Sequence, residues 1–566
     1  FKIVVPEETM LQYKLENSEN SISIVPKYED GNDESHNMFE ITFKPGNKLY
    51  LPKALKFDRF VAGQIPTGWN PSYYGISDDI IEQVDRTTLF SLISTAEALI
   101  TSGITDPYEL YKYMHVSEVG NCSGSGVGGL QSQQKMQKTR FMDGNVQNDI
   151  LQETFINVMS AWVNMLLLSS SGPIKAPVGA CATALESLDL GYETIMSGKA
   201  NMVLVGGCDD IVEETSYEFG AMGATSNSDK EIKAGRNPKE MCRPMTSSRN
   251  GFMESHGSGI QVLMRGDLAI KMGLPIFGVV GFTTMNADKI SKSLPAPGKG
   301  VLTAAKKATS KVYSSRKLDL KYRKRHIEKL DSDDVYTRKY WNVDFYKNDA
   351  NISPIEGALS VFGLNADDIT ANTCHGTSTK ANDKNESNIV NTIMKQCNRK
   401  PGNLLPIVAQ KAITGHPKAA AGAWMINGAL QIFKDSIIPG NFNADNVDCN
   451  LTKDNDYLLF NKENITGLET IKSIMVTSFG FGQKGALALI INPNYLLATL
   501  NENELNEYMN KFDHRYNKAN SQYQHRILHN TIFQEKNSKP FESMADEDVY
   551  LAVSYTHLRA NETLAN

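Results

Sequence analysis

The chain has no Cys-x-x-Cys pair, no His-x-x-His or His-Glu-x-x-His, no long apolar run and no excess of positive charge. Without the paired cysteines, neither a zinc ribbon nor a dithiol redox motif is supported. Without the histidine spacings, metal ligation is weakly supported. No stretch reaches the roughly 18 apolar residues needed to span a bilayer. The longest candidates, such as Ala161 to Leu168, are broken by Asn164 and run into Ser169-Ser170-Ser171. A formal net charge of −6 gives no global argument for nucleic acid or an anionic membrane as partner. There is no initiating Met, and no basic leader followed by an apolar run and a cleavage site. The chain is therefore expected to be a piece of something longer, without a secretory signal.

What is present is ordinary globular material: 566 residues, 41% hydrophobic and 22% charged, enough to bury a sizeable core. Seven cysteines, an odd number at irregular spacing, read as reduced thiols of a cytoplasmic protein. Residues 1–56 form a mixed N-terminal flank, with Lys27 to Asn37 as a polar loop between short strands. From 57 to 289, apolar segments alternate with Gly- and Ser-rich turns, the pattern of α/β layers. Residues 290–345 change character: Lys306, Lys307, Lys311, Arg316, Lys317, Lys321, Arg323, Lys324 and Arg325 crowd a stretch poor in large apolar residues. That segment reads as an inserted solvated surface, or as a docking face for an acidic protein. A second α/β block runs from 346 to 495, and 496–552 is a polar extension with helical patches such as Glu502 to Phe512. The tail from Val553 to Asn566 carries no core pattern and resembles translated vector sequence.

The most informative stretch leads from Pro173 to Leu190. Pro173 to Val178 reads as extended, and Gly179 permits a sharp turn. Leu185, Leu188, Tyr192 and Ile195 then recur at helical spacing, with Glu186, Asp189 and Glu193 on the other face. Strand, turn and helix in that order put Cys181 at a helix N-terminus, where unpaired amides and the dipole favour a thiolate. The same amides can donate to an oxyanion. The alternative is a small buried cysteine packed among Ala180, Ala182 and Ala184.

Two histidines keep similar company. His375, in Cys374-His-Gly-Thr-Ser-Thr-Lys380, lies just past a strand end. His416, in Thr414-Gly-His-Pro-Lys418, opens an apolar helix that should be buried, with Pro417 at a tolerated first-turn position. Lys411 stands five residues before it. Further on, Ser478-Phe-Gly480-Phe481-Gly482-Gln-Lys-Gly485 joins two strands. It is either a hairpin with two core phenylalanines or a hinged gate over a site. Gly124-Ser-Gly-Val-Gly-Gly129 satisfies a dinucleotide-binding spacing, with Asp149 at the expected distance. Asp149 falls at a helix start rather than a strand end, which argues against that use.

Taken together, these clusters resemble the β-ketoacyl synthases, and more narrowly the synthase region of fungal fatty acid synthase α subunits. The resemblance runs through Ala62 to Trp69, Val116 to Gly126, Pro177 to Thr183, His375 to Glu386, Thr414 to Lys418 and Ser478 to Gly485. It covers residues 57–495 closely and the flanks more loosely. It implies a thiolase-like fold, two similar α/β halves in a layered α-β-α-β-α arrangement. It implies an acyltransferase, a β-ketoacyl-carrier-protein synthase that performs decarboxylative Claisen condensation in fatty acid biosynthesis. Carried over residue by residue, Cys181 is the acylated nucleophile, His375 and His416 are the histidine pair, and Lys411 supports them. Phe481, between Gly480 and Gly482, is the gate, its amide completing an oxyanion hole with that of Cys181. No cofactor is implied in this region, because substrates arrive as phosphopantetheine thioesters. The implied partners are an acyl carrier domain, a second synthase unit in a homodimer and the synthase β subunit, with neither nucleic acid nor membrane.

Two departures stand out. Bacterial-type enzymes carry Gly-Gly-Thr-Asn after the gate phenylalanine, where this chain has Gly482-Gln-Lys-Gly485, the fungal form. The charged segment near 305 to 345 is shorter than the fungal pattern leads one to expect, and the family's carrier, ketoreductase and phosphopantetheine-transferase regions have no counterpart here. Three other readings compete. A thiolase would need a second cysteine in the last loop, where Phe479-Gly-Phe481 stands. A catalytically dead partner subunit would lack Cys181. A nicotinamide oxidoreductase would use the glycine loop. Selective alkylation of Cys181 over the other six thiols at neutral pH is the behaviour expected of the enzyme.

Overall fold

In the computed structural model, the described residues are 2–7, 10, 11, 14, 22–27, 38–46, 57–289, 297–307 and 353–554, apart from 469 and 542. Most of the basic segment 290–345, the loop 28–37 and the tail from 555 lie outside them, so the expectations placed there have no structural counterpart. The chain divides into two compact units, residues 1–57 and 58–566. The first holds a small antiparallel sheet in the order β1 (Lys2–Pro6), β3 (Met38–Phe43), β2 (Ile22–Lys27), packed on Met10, Ile22, Ile41 and Phe43.

The second unit is built on two sheets. One has three strands: β4 (Val119–Asn121), parallel to β5 (Met202–Asp209), which runs antiparallel to β6 (Gly257–Met264). The other has six, in the order β10 (Leu458–Leu459), β9 (Leu405–Val408), β8 (Ile369–Thr373), β11 (Ser473–Gly480), β12 (Lys484–Ile491), β7 (Val279–Ala287). The first four of these run parallel, and β12 and β7 are antiparallel additions. Every residue of β5 and β11 is buried. Both faces of these strands are covered, and each contains an apolar run, Met202 to Val205 and Ile474 to Val476.

Alternation along the strands builds the layers. Ile474, Val476, Ala486, Ala488 and Ile490 point inward, onto the helices Thr183–Met196 and Ala421–Asp435 through Leu185, Leu188, Met425 and Ile426. Val203 and Val205 of β5 meet the same two helices from the other side. Met475, Leu487, Leu489 and Ile491 point outward to Ile389, Val390 and Ile393 of the helix Lys380–Gln396. Met202 and Leu204 point outward to Leu92, Ala96 and Leu99 of the helix Arg86–Thr101. The order is therefore helix, sheet, two central helices, sheet, helix.

The polar extension is more ordered than its composition suggests. Asn501 and Glu504 form a capping box that opens a 27-residue helix, Glu502–Leu528. Beyond it, Ile532, Phe533, Phe541 and Val549 join the apolar cluster of the first sheet.

Candidate active site

The site lies where strand ends of both sheets meet the starts of the two central helices. Ala180–Ala182 make a single 3-10 turn that runs into the helix Thr183–Met196, with Cys181 6% exposed. Gly179, read as permitting a sharp turn, has an ordinary φ of −119°; the left-handed residue is Ala180, at +48°. A Cβ residue in that region is strained, and here side chains hold it. The Thr183 hydroxyl donates to the Ala180 carbonyl (2.7 Å) and accepts from the Gly179 amide (3.0 Å).

His375 follows β8 by two residues. Its amide and that of Gly376 donate to the two oxygens of Glu386, at 2.6 and 2.9 Å, and the Thr477 hydroxyl donates to the same carboxylate at 2.6 Å. Lys411 is buried; its Nζ donates to the His375 carbonyl and faces His375 Nδ1 at 3.3 Å. With Lys411 protonated, Nδ1 is the acceptor and the ring proton sits on Nε2. The Ser478 hydroxyl donates to the Cys181 carbonyl at 3.0 Å and lies 3.1 Å from the same Nδ1, between the histidine and the cysteine turn.

His416 is clamped by backbone: its amide donates to the Met253 carbonyl (2.6 Å) and its carbonyl accepts from Ser255 (3.2 Å). The rings of His375 and His416 are 5.2 Å apart and nearly perpendicular, and Phe252 packs its edge against His416 at 5.1 Å. The structure thus brings Cys181, His375 and the neighbouring pair Lys411 and His416 together from three separate segments.

Electrostatics revises one expectation. Burial pushes the Cys181 thiol up to about 12, aided by Asp209, while the Lys411 and Lys418 charges pull it down. The helix N-terminus does not yield a resting thiolate here, because loss of solvation outweighs it. Both imidazoles are held well below the usual histidine range, by burial first and then by Lys411, with His416 adding to the effect on His375 and Lys418 to that on His416. They are neutral donors at physiological pH. Burial also lowers Lys411, against the pull of Glu386.

The last loop is tighter than a hinge. Phe479 and Gly480 are paired in the β11–β12 ladder, opposite Gly485 and Lys484, so the turn is only residues 481–483. Gly482 and Gln483 take φ of +84° and +67°. Phe479 is a core residue, whereas Phe481 is half-buried and stacks on Phe219 at 6.0 Å. Gly480 is pressed against the cysteine turn: a Cβ there would collide with the Gly179 carbonyl and lie 3.3 Å from the Cys181 nitrogen.

The dinucleotide-like loop has a different use. The Ser125 hydroxyl (2.6 Å) and the Gly126 amide (3.0 Å) donate to the buried carboxylate of Asp209, which fills the place of an incoming anion. The other Asp209 oxygen accepts from the Ala419 amide at 2.8 Å. Asp149 is bound by Gln83 and Gln147, away from any strand end. Among the described residues, no group of His, Cys, Asp or Glu has metal-binding geometry. Glu386, Thr477 and Ser478 were visible in the sequence as parts of the long motifs, but without roles. Asp209 and Lys418 acquire theirs only in three dimensions.

Comparison with known proteins agrees with this geometry. Residues 41–269 match the family profile of the β-ketoacyl synthase N-terminal domain, and residues 339–445 that of the C-terminal domain. The chain belongs to the β-ketoacyl synthase family. In particular, it is 48% identical to the fatty acid synthase subunit alpha of Saccharomyces cerevisiae, over 96% of this chain and 32% of that protein. It is 51% identical to the subunit of Lachancea kluyveri, over 91% of this chain and 29% of that protein, and 50% identical to that of Candida albicans, over 96% and 32%. The chain spans about a third of the length of these relatives. The crystal structure of the noncanonical ketosynthase FabY from P. aeruginosa superposes with a TM-score of 0.71 at 22% identity, covering 97% of this chain and 76% of that one. The fold is thus thiolase-like.

Proposed function

We propose that the chain is the condensing region of a fungal-type fatty acid synthase α subunit, joining a Cys181-bound acyl group to a malonyl group by decarboxylative Claisen condensation. The convergence of Cys181, His375, His416 and Lys411, tied together by Ser478, is the observation that carries this reading. In the loading step the Cys181 thiol gives up its proton, sulfur attacks the thioester carbonyl, and the departing carrier thiol is reprotonated. Starting from a thiol pushed up to about 12, the negative charge on sulfur develops only as the attack proceeds. In the condensation, the bond between the malonyl carboxylate and Cα breaks and releases CO2. Its electron pair forms an enolate, which neutral imidazole N–H groups of His375 and His416 stabilise. The enolate carbon attacks the acyl carbonyl, the bond to Cys181 sulfur breaks, and the thiol is restored by a proton. The amides of Cys181 and Phe481 receive the oxyanion, and Lys411 orients His375.

The cycle uses only groups of this chain and substrates delivered as phosphopantetheine thioesters on an acyl carrier domain. The reading extends to a homodimer of synthase units within a cytoplasmic, multifunctional assembly with a β subunit. Among the described residues, no helix is long and apolar enough to cross a membrane. In domain terms, residues 57–289 supply the cysteine half and 346–495 the histidine half, flanked by 1–56 and 496–552. The insertion 290–345 and the tail 553–566 lie outside the catalytic role. Cys181→Ala is expected to abolish chain elongation from acyl- and malonyl-carrier substrates. Elongation at the parent rate in that variant would sink the proposal.

A further inference from the structure

The gate turn is fixed to the nucleophile helix from the side opposite Ser478. Lys484, the first residue of β12 and directly after the turn 481–483, places its Nζ 2.9 Å from Glu186 Oε1. Glu186 belongs to the first turn of the helix that follows Cys181. Its other oxygen is buried, with no hydrogen-bond partner among the described residues, and is aimed back at Gly179. On the other strand, Ser478 holds the Cys181 carbonyl, and Gly480 is wedged against the cysteine turn. Between these fixed points stand only three residues, two of them left-handed and one of those a glutamine. A left-handed glutamine is strained, and the turn is held at its ends, by the Asp288 amide donating to the Gln483 carbonyl (3.1 Å) and by Phe481 on Phe219.

We propose that the Lys484–Glu186 ion pair is a latch on the gate: it keeps Phe481 seated, and bulky acyl groups reach Cys181 only when it releases. The proposal rests on the reading of Phe481 as the gate. Two long side chains, 38% and 18% exposed, form a pair weak enough to break in each cycle. They come from opposite halves of the molecule, so the latch also reports whether the halves are correctly apposed. A threonine at position 484, as in the bacterial-type run, could not make this pair.

The test is single-turnover loading of Cys181 by palmitoyl-pantetheine and by acetyl-pantetheine, read by intact mass. It compares the parent chain, Glu186→Gln, Lys484→Met, the exchanged pair Glu186→Lys/Lys484→Glu, and Phe481→Ala. Either single latch variant is expected to load palmitoyl about fivefold faster, the factor carried by roughly 1 kcal/mol. Acetyl loading should be unchanged, and the exchanged pair should return to the parent rate. Equal changes with both thioesters would assign the pair a merely structural role and overturn the latch. So would parent rates in both single variants alongside faster palmitoyl loading in Phe481→Ala. If Phe481→Ala also loads at the parent rate, the gate reading falls, and the latch with it.

Discussion

The two central helices begin in the same way and carry different chemistry. In the first half, Gly179, left-handed Ala180 (φ +48°), Cys181 and Ala182 lead into Thr183–Met196. In the second, Pro417, left-handed Lys418 (φ +47°), Ala419 and Ala420 lead into Ala421–Asp435. Ala419 stands where Cys181 stands. The strand ends are exchanged crosswise. Asp209, last in β5, reaches the second helix start and binds the Ala419 amide, while Gly480, last in β11, lies against the Cys181 amide. One half closes its helix start with a built-in carboxylate. The other places a residue without a side chain there, which leaves the amides to serve a transient oxyanion. The same backbone thus holds a permanent carboxylate at one helix start and leaves the other open, the place the proposed function gives to the oxyanion.

Breaking the permanent site should have the largest effect on stability. Asp209→Ala leaves the Ser125 hydroxyl and the Gly126 and Ala419 amides without their acceptor, an expected loss of about 3 to 5 kcal/mol in urea unfolding. A loss below about 1 kcal/mol would mean that the carboxylate is not the joint between the halves. At the catalytic counterpart, Gly480→Ala drives a Cβ into the Gly179 carbonyl. Condensation should fall by roughly 100-fold or more, the scale of one lost oxyanion donor. Steady-state elongation assays read this directly, and near-parent activity would deny the turn its role.

The packing beneath the two helix starts should be alike. Leu185→Ala and Ile426→Ala, one from each central helix in the same cluster, are each expected to cost about 2 to 5 kcal/mol. A large difference between them would show that one half carries the fold. A finer contrast concerns protons. Because both imidazoles are held below the usual histidine range, activity should persist below about pH 6.5 before it is lost. The unfolded chain takes up those protons first as pH falls, so the pair's contribution to stability is present above about 6.5 and declines below it. Lys411→Met should move the acid limb of the rate profile upward.

The smallest effect tests the thiol. Of the seven cysteines, six are buried and Cys449 alone is exposed. Iodoacetamide at neutral pH should therefore label Cys449 before Cys181. This reverses the order expected from the sequence, since exposure and thiolate fraction together set the rate.

Most of the candidate constellation that the structure brings together was legible because its residues lie in short, unusual motifs. Cys181, His375, Lys411 and His416 each lie beside a strand end or a helix start that periodicity can locate. The proton state of Cys181 was not legible. A helix N-terminus is visible in sequence, but the burial that opposes it comes from segments hundreds of residues away. The use of the glycine loop at 124–129 was not legible for the same reason: its spacing is local, while the carboxylate that its Ser125 and Gly126 hold belongs to β5. Sequence by itself determined the alternation of strands and helices, the family and the candidate reacting groups, because each rests on residues close along the chain. Only the tertiary structure decided which strand end meets which helix start. That pairing is set by apolar burial between distant segments, and it separates the anion site held by Asp209 from the one left open by Gly480.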